Sequence, residues 1–297
     1  MFIINHKKIF LGIAVLLMLL SIAALLIWGL RLSIDFTGGS LLEVAFTGGR
    51  PEVSQIQDSL KDLNLGEVSV QPLEQRAVLL RLKDINEETH QKILTQLKSD
   101  VAGAEVIEKR FESVGPVIGQ ELKRKAWWAI FFVLLMIVLF VAYAFRKVSR
   151  PIASWRYGVA AIFALAHDVL IPSGVFAVLG RFAGKEVGLL FVTALLTILG
   201  FSVHDTIVVF DRIRENLRRG AGNTFNQTVG LSITQVFARS VNTSVAVLLT
   251  LVAVFLFGGE SIKDFALVLI IGLFSGTYSS LFVASPLLVW WQEWKSR

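Results

Sequence analysis

Two residues of opposite charge stand inside apolar sequence. Asp205 follows His204 about eighteen residues into a run that begins VGLLFVTALLTILGFSVHD at Val187. At 1.5 Å per helical residue, roughly 27 Å of apolar helix lies on one side of this carboxylate. The run then turns into the charged segment DRIRENLRR, and after a polar loop Arg239 stands at the mouth of the next apolar run. An ionisable residue inside a membrane span costs at least ~2.5 kcal/mol and rarely faces lipid. Asp205 and Arg239 enter consecutive spans from the same side, so they lie at similar depth, and apolar surroundings favour their pairing. A guanidinium that moves toward or away from a membrane carboxylate releases or takes up a proton. Such a pair can couple proton flow to motion, with ~2.3 kcal/mol available per proton from a potential of about 100 mV. The competing reading is a static ion pair that fixes helix register.

A second acid, Asp168, lies next to His167, roughly 18 Å along the preceding span. It is a candidate secondary relay residue, or equally an acceptor of a hydrogen bond from a nearby Ser or Thr. His204 and His167 each precede their Asp by one residue and so point about 100° away around the helix. Helix packing or an interhelical hydrogen bond is the default for both, with His204 a further secondary relay candidate. No Ser/His/Asp constellation, phosphate loop or metal-ligand spacing is visible. The absence of cysteine excludes disulfides, thiolate metal sites and a thiol nucleophile. No cofactor is expected; the energy source would be the proton gradient.

The elements that must hold these residues are membrane helices. Of 297 residues, 54% are hydrophobic and 18% charged, where soluble domains carry about 25% charged. Apolar runs occur at 9–30, 126–145, 157–180, 187–210, 240–257 and 265–290, each long enough to cross a bilayer. Six spans put both termini on one side. Lys7, Lys8, Arg146, Lys147, Arg150, Arg156, Arg212, Arg214, Arg218, Arg219, Arg239, Lys295 and Arg297 flank that side, against Arg181, Lys185 and Lys263 on the other. This bias predicts cytoplasmic termini, and it explains the net charge of +6 without nucleic acid. The first run lacks a small-x-small cleavage site and reads as an uncleaved span.

The chain thus divides into a cytoplasmic N-terminus with the first span at 1–30, an extracytoplasmic domain at 31–125, and five further spans at 126–297 ending in a cytoplasmic C-terminus. In the outer domain Leu42, Val44 and Phe46 alternate as in a half-buried strand. Pro51 can open a helix, and Val53, Ile56, Leu60 and Leu63 follow at helical spacing. Strands are predicted at 67–73, 76–82 and 105–111. Asn86 is a candidate N-cap for a second helix whose face is Ile93, Leu94, Leu97 and Val101. The order β-α-β-β-α-β predicts a small α+β domain of ferredoxin-like type. Two glycine-rich joints bracket it, one containing Gly38 and Gly39, the other Gly115 and Gly119. They read either as turns or as hinges on which the domain swings. Near the end of the chain Gly272, Gly276, Ser280 and Ala284 recur every four residues, a stripe that lets another helix approach closely, in this chain or another.

The motifs IDFTGG, SVGPVIGQEL, HDVL, SVHDTIVVFDRIREN and RSVNTS, in this order, resemble the SecF proteins of the SecD/SecF family, within the resistance-nodulation-division superfamily. The resemblance covers nearly the whole chain. It implies an auxiliary, non-enzymatic subunit of the Sec protein-export translocase in the bacterial cytoplasmic membrane. It further implies pairing with SecD, association with the SecYEG channel, contact with unfolded preprotein and lipid, and use of the proton motive force. The Asp of the family's fourth-span motif falls on Asp205 and the Arg opening its fifth span falls on Arg239. Position 204 is His where many members have Asn. Half of a proton-driven small-molecule or lipid exporter, and a passive translocon scaffold, are the competing readings.

Overall fold

The computed structural model describes residues 1–63, 65–66, 68–73, 76–100, 105–145 and 153–295. Two compact units emerge: Leu32–Trp127, and Met1–Arg31 together with Trp128–Arg297. Of the residues used above, Glu67 (the predicted strand start), Val101, Arg146, Lys147, Arg150 and Arg297 lie outside the described set.

In chain order the helices and strands are α1 (Phe2–Asn5), α2 (Lys7–Trp28), α3 (Ile34–Thr37), β1 (Gly39–Phe46), α4 (Val53–Leu60), β2 (Ser69–Leu73), β3 (Ala77–Leu82), α5 (Glu87–Asp100), β4 (Val106–Val114), α6 (Pro116–Ala144), α7 (Ser154–Phe182), α8 (Leu189–Arg218), α9 (Phe225–Phe257), α10 (Glu260–Ser279) and α11 (Ser285–Lys295). A 3₁₀ turn, Lys61–Leu63, follows α4, and a π turn, Ser280–Ala284, joins α10 to α11.

The unit Leu32–Trp127 is the expected α+β fold. Its four strands form one antiparallel sheet in the order β2-β3-β1-β4. The β1–β3 register sets Leu42 opposite Leu80 and Val44 opposite Val78. These side chains point to one face and meet Ile56 and Leu60 of α4 and Ile93 and Leu97 of α5, all buried. Burying each such side chain contributes about 1.5–3 kcal/mol. Two boundaries differ from expectation. Pro51 precedes the helix instead of opening it, because Glu52 takes the N-cap and closes a capping box with Gln55. β4 continues to Val114, since β1 offers it partners down to Gly39. Asn86 caps α5 as predicted, its Oδ1 accepting from Thr89 N at 3.0 Å.

In the second unit, among the described residues, six helices are long and apolar enough to cross a membrane. The sixth runs through α10, the π turn and α11. Pro286 lacks an amide N–H and crowds the carbonyl four residues back; the wide turn just before it absorbs that misfit. Lys7 pairs with Glu293 at 2.8 Å, and Asn226 donates to the same carboxylate at 2.7 Å, so α2, α9 and α11 meet at one end. At the other end of α2, Arg31 pairs with Glu186 at 3.2 Å and its carbonyl accepts from Val187 N. The first and last spans therefore begin and finish on the same side. α10 with its extension buries 61% of its most apolar window, α6 and α9 only 11% each. The centre of the unit is thus α7, α8 and α10, and α6 and α9 present apolar surface suited to lipid or another subunit.

Candidate functional site

The small-residue stripe faces α8 of the same chain. A Cβ added to Gly272 would overlap the Ile198 side chain, and one added to Gly276 would lie 3.3 Å from Ser202 Cβ. Ser280 Oγ lies 3.0 Å from Thr206 Oγ1 and donates to the Ser202 carbonyl. Ile198, Ser202 and Thr206 recur every four residues, as the stripe does, so two matching rows come into register. On the far side of α7, Gly174 admits Ser21 of α2 in the same way. This close approach places two carboxylates of adjacent helices in different surroundings.

Asp168 is wholly buried. Its Oδ2 accepts from Ser202 of α8, in a short hydrogen bond, and from Ser279 of α10 at 2.7 Å. Its Oδ1 accepts from Ser275 of α10 at 3.2 Å and lies 2.9 Å from His167 Nδ1. Pro172, one turn onward in α7, leaves the Asp168 carbonyl without its helical donor. Of the two roles open to Asp168 from the sequence, acceptor from neighbouring serines is directly visible, and the acceptors and donors join three helices. His167 stacks against Tyr278, with ring centroids 5.9 Å apart, and its Nε2 is buried without a partner among the described residues.

Asp205 lies on a cavity of about 420 Å³ between α8, α9 and α10. Ser202 and His204 of α8, Thr243 and Ser244 of α9, and Gly276 and Thr277 of α10 line it with Asp205. The Thr277 hydroxyl donates to Ser244 Oγ at 2.7 Å. The basic side chain beside Asp205 is His204, not Arg239. His204 Nδ1 lies 3.8 Å from Asp205 Oδ1, too far for a hydrogen bond, and the His204 ring is largely exposed. The expected Asp205–Arg239 ion pair is not closed. Arg239 occupies an exposed face of α9 and makes no ion pair among the described residues; its carbonyl accepts from Thr243, one turn on, which lines the cavity. Depth along the two helices is therefore similar, but their rotation keeps the guanidinium beyond contact.

The two glycine-rich joints both fall in the unit Leu32–Trp127 and pack on one another. Gly38 and Gly39 have φ of 73° and 125°, a region open to glycine at little cost. A Cβ on Gly38 would lie 2.7 Å from Pro116 Cα, and one on Gly119 2.8 Å from Gly38 N. One on Gly39 would meet the Leu82 carbonyl at 2.8 Å. Gly115 has more room, with Asp84 Oδ2 at 3.8 Å. The contact between the joints, and the convergence of Ser202, Ser275 and Ser279 on Asp168, are not visible in the sequence. The four-residue spacing of Ser275 and Ser279, beside the glycine stripe, is the signal it offers. Among the described residues no cluster of three His, Cys, Asp or Glu could hold a metal ion.

Residues 93–294 match the C-terminal region of the SecD/SecF protein export membrane proteins, and residues 24–49, which include Gly38 and Gly39, match the SecD/SecF GG motif. The chain is 44% identical to the protein translocase subunit SecF of Thermobaculum terrenum, over 98% of this chain and 94% of that protein. It is 38% identical to the SecF subunit of Anaerolinea thermophila, over 99% and 96%. The crystal structure of SecDF, a translocon-associated membrane protein from Thermus thermophilus, matches with a TM-score of 0.82 at 34% identity. That match covers 99% of this chain and 38% of the SecDF chain.

Proposed function

This chain belongs to the SecD/SecF family of protein export membrane proteins, and on that premise we propose that it uses the proton motive force, together with SecD, to promote preprotein movement through the SecYEG channel. It is a multi-pass membrane protein with a role in Sec translocation, and not an enzyme. The SecDF match, of which this chain spans little more than a third, supports a SecD partner supplying the remainder. The apolar, largely unburied faces of α6 and α9 are suited to such a partner. The positive flanks of the first and last spans support cytoplasmic termini in the bacterial cytoplasmic membrane.

The observation that carries the reading is Asp205: a carboxylate on a cavity within the spans, lined by hydroxyls, that among the described residues makes no ion pair with Arg239. A scaffold gains nothing from such a group. Arg239 stands one turn from the cavity wall and can alternate between its present place and contact, and each change of separation shifts the balance between carboxylate and carboxylic acid. The outer domain, with its interlocked glycine joints, would take up the motion and act on the preprotein. Asp205→Asn keeps size and polarity but cannot titrate. Inverted membrane vesicles carrying it, at equal subunit levels, should lose the gradient-dependent gain in export while ATP-driven export continues; Arg239→Met should do the same. Retention of the full gain by Asp205→Asn would sink the proton-relay reading in favour of a fixed structural role.

A further inference from the structure

We propose that Ser202 is the hydroxyl through which a proton in the Asp205 cavity reaches Asp168, which makes Asp168 a second proton-holding carboxylate. This rests on the reading of Asp205 above and adds a branch to it.

Among the described residues, Ser202 both lines the Asp205 cavity and donates to Asp168 Oδ2. Ser202 and Asp205 are three residues apart on α8 and so share a face. Gly276 stands across from Ser202. A methyl there would sit 3.3 Å from Ser202 Cβ and 3.6 Å from Asp168 Oδ2, so the glycine leaves the cavity side of the Ser202–Asp168 pair unfilled. Ser275 and Ser279, the other hydroxyls on Asp168, are buried and do not line the cavity. The titratable groups packed around Asp168 are His167, on its own helix, and Tyr278, on α10. Tyr278 donates its hydroxyl to the Phe10 carbonyl of α2. His167 presents a buried Nε2 with no partner among the described residues, at the far end of the Asp168–His167 pair.

The transfer balances. A cavity of about 420 Å³ has room for several waters at ~30 Å³ each, and the hydroxyls of Ser202, Thr243, Ser244 and Thr277 on its wall would hold them. A proton leaving Asp205 passes over such water to Ser202 Oγ. Ser202 hands its own hydrogen to Asp168 Oδ2 and keeps the arriving one, so the serine ends as a neutral hydroxyl and one proton has moved between carboxyls. Once protonated, Asp168 becomes a donor at one oxygen and must turn a serine from donor to acceptor. The hydrogen bonds joining α7, α8 and α10 are then rearranged, which links proton arrival to helix packing.

The test is difference infrared spectroscopy on the full chain, assembled with its SecD partner in lipid vesicles, after a drop in pH. The wild type should gain two carboxylic-acid bands, one lost in Asp205→Asn and the other in Asp168→Asn. Should Asp168→Asn fail to fold, Asp168→Glu carries the assignment by shifting its band. Ser202→Ala should leave the Asp205 band in place and slow the Asp168 band by about tenfold or more, and Ser202→Thr should restore the rate. A serine that only holds helices together would change thermal stability without changing that rate. An Asp168 band that rises at the wild-type rate in Ser202→Ala, or no Asp168 band where Asp205 titrates, overturns the proposal and leaves the Asp205 reading standing. Absence of the Asp205 band in the wild type overturns the Asp205 reading itself.

Discussion

His167-Asp168 and His204-Asp205 are the same dipeptide on neighbouring helices, and the chain treats them oppositely. At the first, α8 and α10 bring three serines to a carboxylate with no exposed surface. At the second, α8 and α10 border a cavity with α9, with a histidine at 3.8 Å. The local sequence does not make this difference. The facing residues make it: Ser275 and Ser279 where α10 meets Asp168, and Gly272, Leu273, Gly276 and Thr277 where it borders the cavity. A membrane carboxylate satisfied by fixed donors can hold helices together. One left on a cavity is free to exchange with what enters it.

Replacement by leucine separates the two most sharply. Asp168→Leu takes the acceptor from three buried serine hydroxyls and leaves His167 without its carboxylate, and should cost about 3–5 kcal/mol. Asp205→Leu removes a carboxyl whose near neighbour, His204, stands 3.8 Å away, and should leave stability within about 1 kcal/mol of wild type. Thermal unfolding in detergent, ranked by midpoint, checks both; equal losses would erase the distinction drawn here. A smaller effect is expected at the row that sets the spacing. Gly272→Ala forces the Ile198 side chain aside and should cost about 1–3 kcal/mol. It should also widen the gap between α8 and α10, which crosslinking between cysteines placed at 195 and 269 would report as a reduced yield. An unchanged midpoint and yield would mean that the helices are held by other contacts.

Much of this was legible in the sequence. Alternation of Leu42, Val44 and Phe46 gave the core face of β1, and a charge inside an apolar run singled out Asp205. The row from Gly272 to Ala284 predicted close packing, and only its partner was open. What could not be read depends on helix rotation. One residue turns a side chain by about 100°, and that decides whether Arg239 meets Asp205 or stands off on an exposed face of α9. The serine cage on Asp168 draws residues from positions 202, 275 and 279, whose convergence is a property of three helix axes and not of any one segment. The joints around Gly38 and Gly119 were visible as glycine-rich, but their contact joins residues 81 positions apart.

The most direct test of the difference between the two carboxylates is chemical. An apolar carbodiimide enters membranes and modifies protonated carboxyls that it can reach. Applied to the intact protein in its own membrane, followed by peptide mass mapping, it should modify Asp205 and spare Asp168, because a proton can pass Ser202 where a bulky reagent cannot. Modification should fall as pH is raised and carboxylic acid gives way to carboxylate. Modification of Asp168 with Asp205 untouched would contradict the account.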